Sequence, residues 1–175
     1  MERYSTPLAE ATTPSLEALK AYTTANKVNL SSGSAAAIPF FRRTVEIDPK
    51  FAMAHAYLGL LYSTIGESTL SVESTTKARQ MRDRASDREK FFIDFIYDRQ
   101  VTGNLERAYQ TLELWIRNFP RKQPNPLNPL GLLGGLATHG TARYERAIEA
   151  CQKAITDEPD SYPGYGGLAR PPYPG

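Results

Sequence analysis

Residues 37–66 read AIPFFRRTVEIDPKFAMAHAYLGLLYSTIG. Within this stretch Ala37, Phe41, Val45 and Pro49 are spaced by fours. Residues four apart share one face of an α-helix. The proline then ends the helix, because it has no N–H to donate and disfavours helix in the residue before it. The same small-apolar-apolar-Pro pattern returns at Ala108, Leu112, Ile116 and Pro120, and again at Ala147, Cys151, Ile155 and Pro159. A weaker copy runs through Ser71, Thr75 and Arg79, with Asp83 in the place of proline. The copies begin at 37, 71, 108 and 147, so they are spaced by 34, 37 and 39 residues.

Each copy is preceded by a second helical segment. The clearest is 51–66, FAMAHAYLGLLYSTIG, where Leu58, Leu61, Tyr62 and Ile65 form a stripe and Gly66 suits the C′ position. Gly103 has the same role before Ala108. Ser86-Asp87-Arg88-Glu89 has the form of a capping box, with Ser86 as N-cap and Glu89 at N3. The first helix opens at Thr13 or Ser15, with Pro14 suited to N1. Predicted helices cover 15–31, 35–47, 51–65, 70–84, 87–102, 105–118, 128–138 and 143–157. Pro39 is expected near the first turn of its helix; deeper, it costs about 3 kcal/mol.

The fold class is therefore all-α, built of helix pairs. One pair cannot bury its apolar face alone, and about three stacked units are needed for stability. The domain plan is an N-terminal extension at 1–14, a helical repeat domain at 15–160 and a Pro/Gly-rich tail at 161–175. The units are 15–49, 51–84, 87–120 and 127–159. The fourth opens QPNPLNPLGLLGGLATHG, whose prolines and glycines weaken its first helix. The tail, YPGYGGLARPPYPG, is expected to be extended or disordered. An array without a polar capping helix exposes an apolar edge, which predicts self-association through the C-terminal end or a missing extension.

Composition narrows function mainly by exclusion. Hydrophobic residues are 41% and charged residues 23%, enough to bury a core. The net charge of +2 does not point to nucleic acid or an anionic membrane. Cys151 is the single cysteine, so no intrachain disulfide forms; it matches Phe41 and Leu112 in the repeat and reads as a buried, inert thiol. No stretch approaches the roughly 18 apolar residues of a membrane span. The opening MERYSTPLAEATTP lacks a signal-peptide core, so the chain is expected to be soluble and, by default, cytoplasmic.

Candidate chemistry is sparse. His55 and His139 are the two histidines, and neither has a partner suggested by spacing. Trp115 reads as interhelical packing. Lys77–Lys90 is rich in both signs of charge and reads as a solvated face laced with ion pairs; a dock for an acidic partner is the sharper alternative. The glycine-rich 131–140 segment lacks the Gly-Lys-Ser/Thr ending of a phosphate loop. Zinc, calcium and nucleophile-elbow motifs are also missing, so no enzyme activity and no cofactor are expected.

With these residues in place, the sequence resembles the tetratricopeptide repeat (TPR) family. The second unit supplies Leu58-Gly59, Tyr62, Gly66 and Ala78; the first supplies Ala37, Phe41 and Pro49. The third supplies Gly103, Ala108, Leu112 and Pro120, and the fourth Tyr144, Ala147, Ala154 and Pro159. The resemblance implies a right-handed superhelix of antiparallel helix pairs, an α-solenoid of about four repeats. It also implies an interaction scaffold whose first helices line a concave groove for a partner's peptide or helix. The matching groove positions are Met53, Ala56, Leu60, Ser63, Lys90, Ile93, Tyr97 and Gln100. Their apolar and aromatic mix implies an apolar peptide or helix as the occupant. The segments PLAEATTPSLEALKAYT and IPFFRRTVEIDPKFAMAHAYLG further resemble the repeat region of large bacterial signalling proteins that carry a serine/threonine kinase or winged-helix domain. Kinase motifs are missing and no winged-helix segment is evident, so the alternative is a regulatory segment without kinase activity or DNA binding. An RNA-binding helical repeat has a similar length, but the balanced charge argues against it.

Overall fold

The computed structural model describes residues 13–119, with Pro129 and Leu132 as isolated positions beyond them. Among the described residues the fold is all-helical. Its helices are α1 (Leu16–Ser32), α2 (Ser34–Ile47), α3 (Ala52–Thr64), α4 (Ser68–Gln80), α5 (Asp87–Gln100) and α6 (Leu105–Asn118), with a 3₁₀ turn at Arg82–Arg84. The chain divides into two compact units, Met1–Asn104 and Leu105–Gly175. The helices expected at 128–138 and 143–157, the tail, Cys151 and His139 lie outside the described residues.

In the first unit α1 packs on α2 and α3 on α4, while α2 meets α3 and α5 meets both α3 and α4. Local sequence explains the joints. Ser15 caps α1, its Oγ accepting from Ala18 N at 3.1 Å. Pro14 therefore stands before the cap rather than at N1, and Thr13 is used elsewhere: its hydroxyl donates to Asp48 Oδ2 at 2.6 Å. Asp48 Oδ1 also accepts from Lys50 N at 2.9 Å, so one carboxylate fixes the end of α2 and the start of α1. Gly33 alone separates α1 from α2, at φ 85°. Gly66 closes α3, also at φ 85°, and Glu67 N donates back to Tyr62 O at 2.9 Å in the pattern of a Schellman turn. The capping box opens α5 as its sequence predicts, with Ser86 N donating to Glu89 Oε2 at 2.9 Å.

Pro39 lies in the second turn of α2, deeper than expected. Its ring removes a hydrogen bond to the carbonyl of Ala35. Ala35 and Pro39 are both exposed, so solvent serves the freed carbonyl and the helix continues.

The second helix of each described unit buries the same positions. In α2 these are Ala37, Phe41 and Thr44; in α4, Ser71, Thr75 and Ala78; in α6, Ala108, Leu112 and Trp115, joined by Tyr109. The spacing is four, then three. At about 100° per residue, a step of seven returns to within roughly 20° of the start, whereas a step of eight drifts by roughly 80°. Val45, Arg79 and Ile116, the third members of the spacing by fours, are accordingly only half-buried. The first helices carry the aromatic core. Tyr22 of α1 meets Tyr57 of α3 at 5.7 Å, and Tyr57 meets Phe92 of α5 at 5.4 Å. Phe41 stacks on Tyr57 at 5.2 Å and 6°.

Candidate partner-binding surface

α3 sits at the centre of the first unit. From Ala52 to Leu61 it carries no charged residue, and every position except Leu60 is buried. A helix that is apolar all round is enclosed by its neighbours. Met53 and Ala56 are fully buried for this reason, and so is Ile93 on α5. They pack the core and present no surface.

Tyr97 and Gln100 are half-buried and turned toward α4. The Arg79 guanidinium lies 5.4 Å from the Tyr97 ring centroid. Gln100 Oε1 accepts from Thr75 Oγ1 at 2.7 Å and lies 3.1 Å from Ser71 Oγ. Leu60, Ser63 and Lys90 are the half-buried residues that remain of the eight. Lys90 Nζ donates to Asp87 Oδ1 at 2.9 Å. Asn26 and Asn29 of α1 stand 34 residues before Leu60 and Ser63, and both are half-buried as well. These accessible positions are more polar than the sequence expectation, because the apolar members went inside.

The charged stretch Lys77–Lys90 is laced with ion pairs. Lys77 pairs with Glu73 at 2.7 Å and Lys90 with Asp87. Arg82 grips Asp94 through Nε and Nη2 at 2.6 and 2.7 Å, and Arg79 donates to the same carboxylate. Exposed pairs contribute about 0–1 kcal/mol each. A bidentate arginine–carboxylate pair holds its geometry more firmly.

His55 is buried, and its Nε2 lies 3.0 Å from the Pro49 carbonyl, which it meets as a donor. Burial holds its pKa below the usual histidine value. Trp115 is buried within α6's apolar face. Among the described residues, no cluster of three or more His, Cys, Asp or Glu is placed to hold a metal, and no helix is long and apolar enough to cross a membrane.

Sequence reasoning placed Ser71 and Thr75 in the repeat and Gln100 in the groove, but missed Asp94 and the polar set that these residues form between α4 and α5. The signal was present: hydroxyls occupy the two positions of the repeat pattern that are Ala37 and Phe41 in the first unit. Compared with protein-family models and with curated proteins, the chain matches none.

Proposed function

We propose that this chain is a tetratricopeptide-type α-solenoid that acts as an interaction scaffold, taking an extended peptide from a protein partner on its first helices. The observation that carries this reading is the shared burial line of α2, α4 and α6, at 37/41/44, 71/75/78 and 108/112/115. Three helices that bury the same three positions at near-constant chain spacing are what stacked helix pairs require. The ring contacts Tyr22–Tyr57–Phe92 support the same arrangement, since they run from one first helix to the next. The superhelical, right-handed course belongs to this proposal.

On that reading the binding face is formed by Asn26, Asn29, Leu60, Ser63 and Lys90. Amide, hydroxyl and ammonium groups suit the backbone of an extended peptide, and Leu60 offers one apolar contact. The test is peptide display on the full chain, followed by calorimetry on a selected peptide. Leu60→Asp is expected to weaken binding by about tenfold. Phe40→Asp, on the exposed side of α2, is expected to change it by less than about twofold. Equal loss in both variants, or loss in Phe40→Asp alone, contradicts the assignment of the face.

A further inference from the structure

The α2–α3 and α4–α5 seams of the first unit are built from different chemistry. Between α2 and α3, Phe41 stacks on Tyr57, and Tyr22 packs against both. Between α4, with the 3₁₀ turn that follows it, and α5, side chains cross in three polar layers. Ser71 and Thr75 meet Gln100 in the first. In the second, Arg79 lies over Tyr97. Arg79 and Arg82 share Asp94 in the third. Thr75 stands where the first helix pair has Phe41, so the apolar knob of the preceding seam is replaced by a hydroxyl. The inner layer is also incompletely satisfied: Gln100 Nε2 is buried with no hydrogen-bond partner among the described residues.

We propose that the α4–α5 seam is an electrostatic joint, which sets the orientation of α5 and which ionic strength loosens while α1–α3 stay packed. Three features make this possible. The charged layer is open to ions, with Arg79, Arg82 and Asp94 side chains 36%, 33% and 22% exposed. Four charges hold the layer by attraction, Arg79 and Arg82 on Asp94 with Asp83 at 3.9 Å from Arg82, and salt screens that attraction. Screening lengths fall from about 10 Å at 0.1 M salt to about 3 Å at 1 M. Finally, α5 keeps a second, apolar attachment to α3 through Tyr57 and Phe92, on which it can turn without unfolding. Such a joint would widen or narrow the face proposed above, yet its test stands whether or not that face binds a peptide.

Amide hydrogen exchange of the full chain, at about 0.02 M and about 1 M NaCl, reads the joint directly. Exchange in 68–84 and 87–100 is expected to rise by about threefold or more at high salt, with less than about a twofold change in 34–47. Asp94→Asn at low salt is expected to reproduce the high-salt pattern and to lose most of its own salt response. Gln100→Met, which alters only the neutral layer, is expected to keep that response. A salt effect spread evenly over α1–α5, no salt effect in the wild type, or an undiminished response in Asp94→Asn overturns the joint.

Discussion

Gly59 of α3 and Thr75 of α4 face each other across a close contact between the two helices. A Cβ at Gly59 would run into Thr75 Oγ1 and would also stand 3.2 Å from Thr75 N and 3.3 Å from Ser71 O. Ser71 Oγ seals the contact by donating to Gly59 O at 2.8 Å. Gly59 thus lets two backbones approach, and the hydroxyl helix α4 uses that approach to satisfy its buried polar groups. Gly59→Ala is expected to destabilise the chain by about 1–3 kcal/mol in urea denaturation. In a Thr75→Ala background part of that loss should disappear, with a coupling of about 0.5 kcal/mol or more. Additive losses would mean the two residues do not meet.

His55, in the second helix pair, gives a pH dependence with a defined sign. His55 is held neutral by burial, so its folded pKa lies below the unfolded value. The unfolded chain therefore binds the proton first as pH falls. The stability that depends on neutral His55 is present above the unfolded value of about 6.5 and is lost as pH drops through the folded value. Thermal melts between about pH 7 and pH 5 should show Tm falling with pH, and His55→Gln should flatten that slope. A wild-type slope retained in full by His55→Gln would assign it to other groups.

Ser86 and Glu89 hold the start of α5 through reciprocal bonds. Ser86→Ala is expected to cost about 1 kcal/mol, and Ser86→Asn to retain most of the stability, both read by chemical denaturation. Equal stability in the alanine variant would show that the cap contributes nothing here.

Adjacent residues on α2 separate the two possible burial lines. Thr44 is fully buried, with its hydroxyl donating to Phe40 O at 3.0 Å, whereas Val45 is half-buried. Thr44→Asp is expected to destabilise by about 3 kcal/mol or more, as a charge placed inside. Val45→Asp should cost about 1 kcal/mol. Denaturation curves with the order reversed would return the core to the spacing by fours.

That pair also shows how far the sequence carries. The repeat was visible because small and apolar residues recur at Ala37/Phe41 and Ala108/Leu112, and both positions are buried in all three described copies. The third position was misplaced by one residue, since spacing by fours drifts off a helix face that turns about 100° per residue. Caps and breaks were local and therefore legible, as Ser86 and Gly66 show. The start of α4 was not: Ser68 and Thr69 favour caps and turns in isolation, yet both stand exposed in the first turn of the helix, which Ser71 N closes onto Glu67 O at 2.9 Å. The face was legible only in part. Met53 and Ala56 occupy groove positions by pattern, but the uncharged, all-round apolar run 51–62 already marks an enclosed helix. The polar seam depends on which side of α5 meets α4, and a one-dimensional pattern does not encode that.

The proposal that the first helices take the partner is tested most directly by amide exchange of the full chain, with and without a display-selected peptide. Added protection is expected in α1, α3 and α5, centred on Asn26–Asn29, Leu60–Ser63 and Lys90, with α2 and α4 unchanged. Protection confined to α2 and α4 would contradict the account.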